Sequence, residues 1–416
     1  MKYSKFANKF ADQSGIGLLM DDLTEAFGQK QKVSMLGGGT PAHIAQVQTI
    51  FRDSMTSLLA DGRRFEHAIG NYEPPRGNAV FIDALVRLLN QKFGWTLTPR
   101  NIALTHGSQQ AFFVLFNMFA GNYPDASRKK ILFPLSPEYI GYCDVGLEDD
   151  LFESALPSIE MIDELFFKYH IDFDSLHIHD DIGAICVSRP TNPTGNVLTD
   201  DEIRKLATLA RSRQIPLIID NAYGKPFPDV IYCDVNPYWD EHSIVCMSLS
   251  KLGLPGTRTG IVIGPEEVTR RISRINAVIT LSPGGMGTAI ATEMVRSGSI
   301  LSICRDHVQP FYREKMETAV ALARHYFKDL NIVIHKPEGA FFLWLWFKDL
   351  PVPCHRLYQQ LKERGVIVVP GHYFFFGCKQ PHPHGDQCLR INYAQDRTVV
   401  ETGFRIIAEE VRQLTK

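Results

Sequence analysis

The chain lacks any apolar run approaching the ~20 residues that a membrane-spanning helix needs, and its first ten residues hold no apolar signal core. Both points make the cytoplasm the expected location. It also lacks a concentration of basic residues: 44 Lys and Arg against 46 Asp and Glu leave a formal charge of -2, without the electrostatic footprint of a nucleic-acid or membrane-surface binder. Small molecules are the expected partners. The eight cysteines, scattered from Cys143 to Cys388, contain no CxxC pair and read as reduced thiols of a packed interior. Internal repeats and low-complexity tracts are missing too. His372, Cys378, His382, His384 and Cys388 are dense enough to raise zinc, but their spacings match no structural zinc pattern, so no metal is expected.

What is present is the composition of an ordinary globular protein, 44% hydrophobic and 22% charged. At 416 residues the chain exceeds one compact core, so a large and a smaller domain are expected. Strand-length apolar runs at 101–105, 130–133, 184–188, 215–220, 244–249 and 260–263 alternate with helical patterns at 44–59, 79–93, 109–119 and 200–213. Runs that are apolar throughout and alternate with helices predict a largely parallel sheet covered on both faces. Thr199 and Glu202 form a capping box ahead of the helical repeat Ile203, Leu206, Ala207, Ala210. A long helical pattern from 300 to 326 is broken by Pro310. Beyond it, strands at 331–335, 340–347, 366–369 and 388–392 and helices at 355–364 and 398–414 predict a smaller α+β unit. The expected division is an N-terminal arm that partly joins the small domain (1–44, with one short helix near 18–27), a large domain (45–320) and a C-terminal small domain (321–416).

The chemistry gathers at the ends of the buried runs. Lys251 stands just past the run at 244–249, among small residues, where lost solvation lowers an ammonium pKa toward that of a nucleophile able to form a Schiff base. Ser248 and Arg258 flank it with groups suited to a phosphate. Together they point to pyridoxal phosphate, with a plain solvated loop lysine as the competing reading. Gly107-Ser108-Gln109 joins a strand to a helix start and can hold an anion, or be an ordinary junction. Asp220, at a strand's carboxyl end, can keep a pyridine nitrogen protonated, with Tyr223 on the ring's phenolic oxygen, or Asp220 can cap the next structure. Asn192 is presented between Pro190 and Pro193; Tyr139 offers a ring to stack on a flat cofactor. Arg390, in an apolar strand, needs an anion: a substrate carboxylate or an internal acid. Gly37-Gly38-Gly39 permits close backbone approach to a ligand.

Read in order, Gly39, Tyr72, Gly107-Ser108-Gln109, Tyr139, Asn192-Pro193-Thr194-Gly195, Asp220-x-x-Tyr223, Ser248-x-Ser250-Lys251, Arg258, Pro370-Gly371 and Arg390 resemble the motif series of the fold-type-I aminotransferases, across nearly the whole chain. The resemblance implies an α/β fold with a mostly parallel seven-stranded sheet between helices, pyridoxal 5'-phosphate as cofactor, and a homodimer with shared active sites. It implies amino-group transfer between L-valine or L-alanine and the matching 2-oxo acid, in a ping-pong cycle. Lys251 would carry the cofactor and move the proton. Asp220 would meet the pyridine nitrogen, and Asn192 and Tyr223 the phenolic oxygen. Ser108, Gln109, Ser248 and Arg258 would hold the phosphate, joined by Tyr72 from the partner subunit, with Tyr139 stacked on the ring. Arg390, Asn192 and the Gly39 backbone would hold the substrate carboxylate. Ile16, Leu18 and Tyr139 would wall the substrate side chain. No second arginine is identifiable for a distal carboxylate, which favours a small apolar donor. The rivals are an alanine or aromatic aminotransferase or a carbon-sulfur lyase on the same scaffold, and a non-catalytic regulator, for whose DNA-binding module the short neutral arm leaves no room.

Overall fold

The large sheet is built from runs that have no polar face. Ile182–Ser188, Ser243–Ser248 and Thr259–Ile263 are buried at every position, as a sheet covered by helices on both faces requires. The strand order in this computed structural model, which describes residues 1–10, 17, 20, 21 and 33–415, is Ile102–His106, Thr259–Ile263, Ser243–Ser248, Leu217–Asp220, Ile182–Ser188, Arg128–Phe133. The outer edge of Arg128–Phe133 is shared by Gly121–Asn122 and Phe152–Ser154. Pairing is parallel except at Thr259–Ile263, antiparallel to both neighbours, and at Gly121–Asn122. Among the described residues the sheet therefore has eight strands where seven were expected, the addition being the two-residue Gly121–Asn122, too short to leave a pattern. Register sets Asp220 beside Ser188 on one side and Cys246 on the other, so the carboxyl ends of three parallel strands form one polar edge.

Helices cover both faces. Asn78 caps Ala79–Phe93 by accepting from Phe81 N, and Gly94 ends it in a left-handed conformation. The capping box expected ahead of Asp200–Ser212 is formed by Thr199 and Glu202. Pro310 lies in the first turn of Gln309–Tyr326, where a missing N–H leaves no bond unmade, and Ser299–Ile303 reaches it through a π-helical turn at Cys304–Val308. The expected break is thus a change of helix type. Among the described residues five α-helices carry no sequence expectation: Lys5–Lys9, Gly62–Gly70, Glu266–Ile279, Met286–Ser297, which packs on Ala79–Phe93, and Pro383–Gln387.

The second sheet runs Val369–Pro370, Cys388–Asn392, Phe342–Phe347, Ile332–His335, Phe166–His170, Ser158–Met161. Its last two strands come from the middle of the chain, and Phe166–His170 lies parallel to Ile332–His335. Ser34–Met35 pairs in parallel with Val366–Ile367, and Asn392 N donates to Leu36 O at 2.8 Å, which delivers the triple glycine to the strand that carries Arg390. Ile16, Leu18 and most of the helix expected near 18–27 lie outside the described residues. Among the described residues no helix is long and apolar enough to cross a membrane.

Candidate active site

Lys251 emerges one turn past Ser243–Ser248, half-buried, and its Nζ donates to Gly39 O at 2.7 Å. The ammonium stands over the rings of Tyr223 (5.3 Å) and Phe341 (5.6 Å). Burial, reinforced by the positive charges of Arg390 and Arg258 and opposed by Asp220, lowers it to about 8. A fraction of free amine is therefore present near neutrality.

Asp220 ends its strand with Oδ2 accepting from the Tyr142 hydroxyl at 2.5 Å and Oδ1 from Ala222 N at 2.9 Å. Burial raises its pKa, while these two donors and Lys251 pull the other way. Tyr223 is buried close by, its ring edge-on to Phe341 at 5.1 Å.

Arg390 is 2% exposed, in the strand Cys388–Asn392. Its Nη1 donates to Asn192 Oδ1 at 2.7 Å and its Nη2 to Gly37 O, while Nε, buried, has no partner among the described residues. The guanidinium rests on the faces of Phe342 (4.5 Å) and Phe374 (5.4 Å). Both bonded oxygens are neutral, and burial lowers the group to about 10. A buried guanidinium with no counter-charge among the described residues is a site for an anion, best a carboxylate that matches its fork.

A second anion site lies at the start of Ser108–Phe119. Gly107 has φ +81°, and a Cβ there would stand 2.1 Å from Arg258 Nη2, so the guanidinium lies directly on the glycine backbone. At Gly260 a Cβ would stand 2.7 Å from Ser108 N, which shows how closely the two strand ends approach. First-turn amides beside a guanidinium form a cradle for phosphate. Ser248 Oγ, 1% exposed, lies 2.9 Å from Ser250 Oγ and accepts from Ser250 N at 3.0 Å. The Gln109 side chain donates to Gly141 O at 2.7 Å, leaving its backbone amide to the cradle. Glycine at 141 lets the Tyr139 ring lie across the chain, since a Cβ there would be 2.4 Å from the ring. That phenol senses the charges of Arg390, Asp220 and Arg258, and burial raises its pKa.

The structure thus brings together Gly39, Ser108, Gln109, Tyr139, Asn192, Asp220, Tyr223, Ser248, Lys251, Arg258 and Arg390. It does not bring Tyr72, which stands 80% exposed past the end of Gly62–Gly70. Sequence reasoning left Glu138, Tyr142, Ser250, Phe341 and Asn392 unassigned. Asn392 carried a signal: two residues from Arg390 in one strand it shares a face, and its Nδ2 donates to Gly38 O at 2.6 Å. Tyr142 carried none. In the histidine-rich segment, His384 Nδ1 lies 2.5 Å from the Tyr169 hydroxyl, and burial lowers that imidazole to about 3. Among the described residues no group of three or more His, Cys, Asp or Glu side chains is arranged to hold a metal ion.

Residues 157–406 match the family model for aminotransferase class I and II. The chain is 50% identical over 413 residues to the valine–pyruvate aminotransferase of Escherichia coli K12, covering 99% of each. Among solved structures it resembles a putative amino-acid aminotransferase from Psychrobacter arcticum (TM-score 0.97, 46% identity, 100% of this chain and 99% of that one). It also resembles the valine-pyruvate aminotransferase of Salmonella typhimurium LT2 (TM-score 0.89, 49% identity, 96% of this chain and 99% of that one).

Proposed function

The chain belongs to the class I and II aminotransferases, and from that premise we propose that it exchanges the amino group between L-valine and pyruvate, reversibly, giving 3-methyl-2-oxobutanoate and L-alanine. The cofactor in this reading is pyridoxal 5'-phosphate. The observation that carries it is the convergence of a half-buried amine lowered to about 8, a strand-end carboxylate and a buried guanidinium whose Nε has no partner among the described residues.

The residues fit that cofactor. Arg258, Ser248 and the first-turn amides of Ser108 and Gln109 would hold the phosphate, and an added Cβ at Gly107 would fill the cradle. Asp220 would keep the pyridine nitrogen protonated, with Asn192 and Tyr223 on the phenolic oxygen and Tyr139 on the ring face. When bound, the group supplies an electron sink for negative charge at the substrate α-carbon. Lys251 Nζ takes and returns the proton at that carbon, the work of an amine whose pKa is near ambient pH. Arg390 binds the substrate carboxylate, steadied by Asn192 and the glycine carbonyls. Phe341 and Phe342, buried beside Tyr223, help keep water from the proton transfer. Ile16, Leu18 and Tyr139 would wall an apolar side chain. The assembly in this reading is a cytoplasmic homodimer, with the exposed Tyr72 reaching the partner's phosphate. We keep the division into an arm at 1–44, a large domain at 45–320 and a small domain at 321–416 as part of it.

Borohydride reduction of the protein incubated with pyridoxal phosphate, followed by peptide mapping, tests the site; a label anywhere but Lys251 overturns it. Alanine formed from valine and pyruvate tests the substrates, and pyruvate and ammonia released from cystathionine without an acceptor would indicate a lyase instead.

A further inference from the structure

Two carboxyl groups, the buried Glu138 and the half-buried Asp220, are linked by two hydroxyls. Glu138 is 3% exposed. Its Oε1 accepts from Ser188 N at 2.9 Å, and its Oε2 from the Ser188 hydroxyl at 2.8 Å and from Tyr139 N at 3.1 Å. Ser188 sits beside Asp220 in the sheet, and its Oγ lies 3.5 Å from the Tyr142 hydroxyl, which donates to Asp220 Oδ2. The other titratable groups that bear on this pair are Lys251, a positive charge on the Asp220 side, and the Tyr139, Tyr142 and Tyr223 phenols and the Cys186 and Cys246 thiols, none of which brings positive charge. Two like charges in a low-dielectric pocket oppose each other, so the pair titrates as a unit and favours one proton between them.

The hydrogen-bond chain decides where that proton goes. With Glu138 ionised, the Ser188 proton points to Glu138 and the Tyr142 proton to Asp220, leaving the two hydroxyl oxygens facing each other without a proton between them. With a proton on Glu138 Oε2 the first bond reverses: Glu138 donates to Ser188, Ser188 turns to Tyr142, and Tyr142 still donates to Asp220. Every hydroxyl then points toward Asp220, which also has Lys251 as a nearby positive charge. Aligned bonds of this kind polarise one another and stabilise the terminal anion.

We propose that Glu138 is a positioning residue: it carries the shared proton, so that Asp220 is the single charged carboxylate of the pair, held in direction through Ser188 and Tyr142. Burial, with Asp220 adding to it and the Ser188 and Tyr139 donors opposing it, pushes Glu138 up to about 8. The consequence for catalysis rests on Asp220 being the partner of the cofactor nitrogen; the protonation itself belongs to the protein without cofactor.

Infrared spectra of the cofactor-free protein in deuterium oxide, wild type against Glu138→Gln, test it. The expected result is a protonated-carboxyl band at pH 6 that Glu138→Gln lacks and that fades as pH passes about 8. The proposal is overturned if the two spectra match there, or if the band vanishes in Asp220→Asn instead. A second variant, Ser188→Ala, cuts the chain while leaving both carboxyl groups in place. It should keep the band, weaken pyridoxal phosphate binding about tenfold, the scale of one charge-assisted hydrogen bond, and shift the pH titration of the bound cofactor's absorbance. An unshifted titration in Ser188→Ala overturns the relay. A wild type that shows the band but never binds pyridoxal phosphate would sink the cofactor reading and leave the proton on Glu138.

Discussion

Arg390, in a strand of the second sheet, and Asn192, in the turn that follows the large-sheet strand Ile182–Ser188, lie 198 positions apart in the chain and meet at 2.7 Å, with the buried guanidinium Nε finding no partner among the described residues. The amide takes one edge of the fork and leaves the rest for an incoming carboxylate. A lysine at 390 supplies charge but no fork and cannot reach Asn192 and Gly37 O while also holding an anion. Arg390→Lys should therefore raise KM for valine by about a hundredfold, the scale of ~2–3 kcal/mol for bonds to a charged group, with kcat falling less. Steady-state kinetics with saturating pyruvate reads both, and an unchanged KM would remove Arg390 from the carboxylate site.

For Lys251 the sign of the pH dependence follows from its lowered pKa. Only the neutral amine attacks a carbonyl, and the amine is protonated below about 8. The rate at which cofactor-free protein takes up pyridoxal phosphate should rise as pH approaches 8 and level off above it, followed by absorbance after rapid mixing. A solvated lysine would still be climbing well above pH 9. Lys251→Ala should lose at least ~10²–10⁴ in kcat, the span of a removed acid-base group, with the fold intact by circular dichroism.

The strand-end site was legible because buried parallel strands are apolar runs, and a polar residue that ends such a run stands out: Ser188, Asp220 and Ser248 all do. What could not be read is what depends on meeting across space. Tyr142 looks like any aromatic of a turn until the sheet sets Asp220 against it. Phe166–His170 does not stand out as a strand because Lys168 interrupts the apolar pattern; inside the fold that lysine is buried in an ion pair with Glu338. Glu266–Ile279 is hard to read as a helix although Val268 and Ile272 repeat on its buried face, because charged residues outnumber them.

The capping box at Thr199 offers a test of fold stability separate from the site. Thr199 Oγ accepts from Glu202 N at 3.1 Å, and Glu202 Oε2 accepts from Thr199 N and from the Thr199 hydroxyl, each at 2.8 Å. Burial pushes Glu202 up, but His170 and the Thr199 donors outweigh it and bring the carboxyl down to about 2. A depressed carboxyl contributes stability that is present above its ordinary value of 4.5 and lost as pH falls through about 2. Thr199→Ala should cost about 0.5–2 kcal/mol at neutral pH, and its acid unfolding should begin at a higher pH than that of the wild type. Urea melts at neutral and acidic pH give both numbers.

Gly107→Ala separates the phosphate cradle from the carboxylate clamp. At φ +81° an alanine is strained, and its methyl would stand 2.1 Å from Arg258 Nη2, so the guanidinium must leave the helix N-terminus. Nothing at Gly107 touches Arg390, Asn192 or Lys251 in the hydrogen-bond pattern of the site. Losing one charged phosphate contact weakens binding by about 1.5–3 kcal/mol, so pyridoxal phosphate affinity should fall at least about tenfold. The KM for valine, measured with cofactor in excess, should stay within about threefold of the wild-type value. The deciding comparison is with pyridoxal, which has no phosphate: its affinity should be nearly the same in both proteins. If Gly107→Ala weakens pyridoxal as much as its phosphate ester, the Arg258 cradle is not where the phosphate sits.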